Sequence, residues 1–167
     1  THNFNIENSI WEQTGSLVFS VPTSGKDPTV NFNLKNSVFN STSHLVFGVS
    51  KGEIVIDNSN VNVGTSRQIE NRSTMTIKNG SVVNGAVATS SNAINPGTVI
   101  VENATYAVTG QFSGSTVGTG TLIIKKGATV SVGSIVDNAN IVIDADGMTA
   151  GDAVNFTGNL SKFAGTI

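Results

Sequence analysis

A chain of 167 residues without cysteine can bury one continuous core, but it has neither a disulfide framework nor thiolate metal sites. Charged residues make up 12%, about half the ~25% usual for globular chains, so Asn, Ser and Thr must wet the surface; together with 18 glycines they suit strands and turns better than helices. Nine Lys and Arg, adjacent only at Lys125-Lys126, and a net charge of −2 leave no basic stripe for nucleic acid, and no apolar run reaches the roughly 18 residues that cross a bilayer.

In chain order the expected elements begin with a poorly patterned stretch. Residues 1–30 hold Phe4, Ile6, Ile10, Trp11 and the run LVFSV at 17–21, and are expected to form an irregular first coil or lid. No basic segment followed by an apolar leader opens the chain, so an exported protein would be seen here in mature or partial form. From residue 31 a five-residue frame recurs: NFNLK at 31–35, EIVID at 53–57, TMTIK at 74–78, TVIVE at 98–102, TLIIK at 121–125 and NIVID at 140–144. The last residues of these frames are Lys35, Asp57, Lys78, Glu102, Lys125 and Asp144, 19 to 24 residues apart. A period near 22 marks a solenoid, in which each unit buries its apolar face only by stacking on its neighbours. The signs in this column alternate. In a parallel stack with ~4.8 Å between rungs, each charge then sits between opposite charges, an arrangement that specifies register more than it adds energy.

Within the frame, Phe32, Ile54, Met75, Val99, Leu122, Ile141 and, two residues on, Leu34, Ile56, Ile77, Val101, Ile124, Ile143 lie on one face of a strand and are assigned to the core. After the charge column come Asn36, Asn58, Asn79 and Asn103, then Lys126 and Ala145. Stacked asparagines at a corner suggest an amide ladder that ends where Lys126 intrudes. A second strand follows, ending near Gly64, Gly85, Gly110 and Gly133, where glycine supplies positive φ or close approach. The segments between these glycines and the next frame vary in length, and Ile69, Ile94, Val117 and Val136 are expected to mark a short third strand facing inward. Residues 145–167 supply a last coil with Val154, Phe156, Leu160 and Phe163 inward.

The expected fold is therefore all-β: one domain over 1–167, a single-stranded right-handed parallel β-helix of about seven coils of roughly 22 residues, regular over 31–144. Right-handedness follows from the preference of parallel crossovers. A β-sandwich has turns at similar spacing but no reason to keep a 22-residue register or an alternating charge column.

The stretches STMTIKNGSVVNG at 73–85 and GTLIIKKGATVSVG at 120–133 resemble the coils of autotransporter passenger domains and related large repeat adhesins of Gram-negative surfaces, and the looser pattern covers about residues 29–145. The resemblance implies export, display at the cell surface, and adhesion or self-association. It brings no catalytic motif.

Chemical motifs are sparse. Gly48-Val49-Ser50-Lys51-Gly52 fits G-x-S-x-G, but a strand follows it where a hydrolase has a helix, and the only histidines are His2 and His44. Asp144, Asp146 and Asp152 form the densest carboxylate group and are the one weak calcium candidate, although Met148 stands where an oxygen ligand belongs. Eleven acids, several used in the charge column, are few for a glycosidase or lyase. Thr74, Thr98 and Thr121 stack without a second regular threonine rank, so ice binding is not favoured. The outward column Val55, Thr76, Ile100, Ile123, Val142 reads as an association strip. Six N-x-S/T acceptors occur at Asn40, Asn71, Asn79, Asn103, Asn155 and Asn159, and Asn79 and Asn103 are expected to be buried in the ladder. The expected role is a structural or adhesive module, secreted or displayed on the outer membrane. It uses no cofactor and no enzymatic activity, and its partners are surface glycans, proteins or further copies assembled end to end or side by side. A polysaccharide-binding or -cleaving β-helix and a self-assembling filament subunit are the alternatives.

Overall fold

A computed structural model describes residues 1–20, 27–64, 68–85, 97–113, 120–137 and 139–167. Seventeen strands and no helix occur among them. The five-residue frames form the first face, a seven-stranded parallel sheet of β1 (His2–Glu7), β4 (Val30–Lys35), β7 (Glu53–Asp57), β10 (Thr74–Lys78), β12 (Thr98–Glu102), β14 (Thr121–Ile124) and β16 (Asn140–Ile143) in that spatial order. The second face stacks β2 (Ile10–Gln13), β5 (Val38–Ser41), β8 (Asn60–Val63), β11 (Val82–Gly85), β13 (Thr105–Ser113), β15 (Thr129–Asp137) and β17 (Asn155–Phe163). A third, three-stranded sheet holds β3 (Leu17–Phe19), β6 (Leu45–Phe47) and β9 (Ile69–Asn71). The protein is a β-solenoid: all the strand pairings are parallel, each strand bonding to its counterpart one coil away.

Alternation along the frames places every second residue inside. Phe32, Ile54, Met75, Val99, Leu122 and Ile141 form one buried file and Leu34, Ile56, Ile77, Val101 and Ile124 another. Phe39, Val61, Val83, Tyr106 and Val130 face them from the second sheet. Each such side chain withdrawn from water contributes about 1.5–3 kcal/mol before chain entropy is set against it. Toward the first coils the core turns aromatic: Phe47 stacks on Phe19 at 5.2 Å and meets Phe32 edge-on at 5.3 Å, while Trp11 meets Phe39 edge-on at 5.3 Å.

The structure departs from the sequence reading in several places. Ile143, assigned to the core, is 53% exposed, because β16 is the sheet's last rung and no further strand covers its file. Leu160 is likewise exposed, whereas Val154, Phe156 and Phe163 pack partly against the core. The first coil is not irregular. Asn3-Phe4-Asn5-Ile6-Glu7 pairs residue for residue with Asn31-Phe32-Asn33-Leu34-Lys35, and β2 and β3 pair with β5 and β6.

The second strand does not stop at Gly110 or Gly133. It continues through an irregularity between Val108 and Gln111 into nine-residue strands that carry Phe112 and Ile135 inward. None of these strand-end glycines has positive φ, and at Gly85 and Gly133 the reason for glycine is close approach. A Cβ on Gly133 would collide with the Thr109 backbone carbonyl, and one on Gly85 would lie 2.7 Å from Ile69 Cδ1. Of the expected third-strand residues, Ile69 is buried in β9 and Val136 lies in β15 opposite Ser113 and Lys162, while Ile94 and Val117 fall outside the described residues.

Candidate functional site: the outward files and corners

Stacking turns each outward position of the first face into a vertical file. Glu7, Lys35, Asp57, Lys78 and Glu102 are register partners in successive rungs, with Lys125 and Asp144 following where the Lys125 and Asp144 amides bond to Val101 and Ile124. The file thus carries seven charges of strictly alternating sign, one more than the frames alone revealed. Two neighbours close to ion pairs, Lys78 with Asp57 at 3.5 Å and Lys125 with Asp144 at 3.0 Å. The Asp144 carboxylate accepts the Asp146 N–H and the Lys125 ammonium, which lower its pKa, and the same contact raises that of Lys125.

The next residue makes the corner. Asn8, Asn36, Asn58, Asn79 and Asn103 all have φ between 45° and 55°, the left-handed conformation that asparagine tolerates better than other residues with a Cβ. Their amides bond only in part. Asn58 Nδ2 donates to Asn36 Oδ1 at 2.9 Å and Asn36 Nδ2 to Asn8 Oδ1 at 3.3 Å. Asn79, followed by the inserted Gly80, instead donates to Asp57 Oδ1 at 2.7 Å, so the ladder ends there and not at Lys126. At Lys125-Lys126-Gly127 the positive φ moves to the glycine.

Immediately inside the corner runs a serine ladder that the frames did not reveal. The amides of Ser9, Ser37 and Ser59 donate to the hydroxyls of Ser37, Ser59 and Ser81, each at 3.0 Å. Those hydroxyls in turn donate to the carbonyls of Lys35, Asp57 and Lys78 at 2.6–2.7 Å. Ser37, Ser59 and Ser81 are buried, so the ladder satisfies polar groups that water cannot reach. Above it, buried Ala104 and Ala128 occupy the file, and the Ser81 and Ala128 amides turn to the carbonyls of Lys78 and Lys125. The signal was present as the small residue after each corner asparagine.

The second face carries its own amide file: Asn40 donates to Glu12 at 2.7 Å, Asn62 to Asn40 at 2.8 Å and Asn84 to Asn62 at 3.2 Å. On the first face, the strip Val55, Thr76, Ile100, Ile123, Val142 is half-buried except for Val142, and two asparagines, Asn5 and Asn33, continue it downward. There Asn5, Asn31, Asn33, Gly52, Glu53, Val55 and Thr74 line an open groove of about 560 Å³.

The carboxylates proposed for calcium do not converge. Asp144 is engaged by Lys125, and Asp152 by Lys126 at 3.0 Å and by the Thr149 amide and hydroxyl. No group of three metal-ligating side chains occurs among the described residues, which include Asp144, Asp146 and Asp152. The Thr149 N–H, with Lys126 and the Thr149 hydroxyl, holds the Asp152 pKa at about 2. Ser50 of the GVSKG turn donates its hydroxyl to Asp27, while His44 Nδ1 accepts the Gln68 N–H. Asn71, an acceptor sequon, is 1% exposed, with its amide bonded to the carbonyls of Ser73 and Thr98. Asn79 and Asn103, expected to be buried, are exposed, because the corner projects into solvent.

No family model matches the chain, and neither curated proteins nor solved structures yield a match.

Proposed function

We propose that this chain is a non-enzymatic structural and adhesive module of a secreted or surface-displayed bacterial protein, a stiff solenoid that meets glycans or proteins through repeated outward files. The observation that carries this reading is the second-face file Glu12, Asn40, Asn62, Asn84, whose members are joined by a run of side-chain hydrogen bonds from rung to rung. Side chains ordered before contact lose little entropy on binding, and repetition lets weak contacts add along a rod. The test is adhesion of the purified chain, immobilised on beads, to bacterial and host cell surfaces, with the triple variant N40S/N62S/N84S as comparison. Retention lost in the variant supports the reading. Release of reducing ends from surface polysaccharide would favour an enzyme instead.

Self-assembly is a second reading, favoured by the last rung, where Val142 and Ile143 are 42% and 53% exposed on a sheet edge that Thr166 bridges only at Asn140. Particles that lengthen with concentration under electron microscopy would support it, and monomers throughout would remove it.

A further inference from the structure

Among the described residues, several stacked asparagines bond side chain to side chain across successive rungs. Asn31 donates to Asn3 at 2.8 Å on the first face, and the corner and second-face files are bonded in the same way. Asn5 and Asn33 are also register partners, one rung apart on the same face, yet their amides make no side-chain hydrogen bond among the described residues. The side chains of Glu53 and Thr74, above them, are equally unengaged. These four line the groove of about 560 Å³, together with half-buried Val55.

We propose that this groove, over β1, β4, β7 and β10, is a binding site for a neutral, hydroxyl-rich oligosaccharide. The inference rests on the adhesive reading above and names its ligand class. Two amides, a carboxylate and a hydroxyl provide donors and acceptors for sugar hydroxyls, and Val55 offers an apolar surface to the C–H face of a pyranose ring. The size falls within the roughly 300–1,000 Å³ range of ligand sites. Glu53 is the one charged residue among the described lining, so anionic polysaccharides and phosphate-bearing ligands are repelled. The rungs that carry these side chains are strands in a packed sheet, so the backbone positions from which the donors and acceptors project are fixed before the ligand arrives.

The test is a side-chain amide NMR titration of the unaltered chain with cellotetraose, maltotetraose, chitotetraose and mannotetraose, and with tetragalacturonate as the anionic arm. At least one neutral tetrasaccharide should shift the Asn5 and Asn33 amide signals saturably, tetragalacturonate should not, and the N5A/N33A variant should bind at least about tenfold more weakly. Failure of all four neutral sugars to move those signals, or affinity unchanged in the variant, overturns the site. If that happens while the beads still adhere to cells, only the groove is lost; if adhesion fails as well, the broader reading falls with it.

Discussion

At a single corner, an asparagine with φ near 50° does what few residues can, since a β-branched side chain there collides with its own backbone. Asn58→Val is therefore expected to cost about 1–3 kcal/mol in urea unfolding, whereas Asn58→Gly, which relaxes the same dihedral, should cost little. Next to it, Ser81→Ala removes the acceptor of the buried Ser59 amide without offering another, and a loss of about 1–3 kcal/mol should appear in the same assay. Asp152 gives a pH signature. Its carboxyl ionises more readily folded than unfolded, so its contribution is complete above the ordinary carboxylate pKa of about 4 and disappears as pH falls toward 2. Asp152→Asn should flatten the melting temperature between those values, and leave its course near neutral pH unchanged.

A file of charges behaves differently from any of its members. The exposed pair Lys78–Asp57 is screened by solvent, but Lys78→Glu would place three acids, Asp57, residue 78 and Glu102, in consecutive rungs. The variant should unfold about 1 kcal/mol more easily at low salt, and most of the difference should vanish in 1 M NaCl. This file was readable in the sequence from Lys35 to Asp144 because its charges, its apolar files and its period all agree. Glu7 was missed, although NFNIE at 3–7 repeats NFNLK at 31–35, because that step is 28 residues and breaks the period. The serine ladder escaped for another reason: a small residue carries no hydropathy signal, and its worth lies in backbone groups that only the folded corner brings within reach. The groove escaped because openness depends on what fails to pair, and sequence patterns report what does. The exposure of Ile143 shows the same limit, since a core pattern continues to the end of a stack whether or not a further rung covers it.

As a whole, the molecule is a stack in which each coil touches only its neighbours, so stability is a sum along one axis and is lowest at the ends. Amide hydrogen exchange should be slowest in β7, β10 and β12 and fastest in β1 and β16, a gradient absent from a core that opens all at once. The alternating file has a consequence for how such a chain can grow or shrink over evolutionary time. Excising the coil that contributes Lys78 would bring Asp57 against Glu102, and duplicating it would set two lysines together. Adding or losing two coils at once keeps every neighbour opposite in sign. Insertions of an even number of coils therefore preserve the alternation, whereas an odd number sets like charges together at one junction.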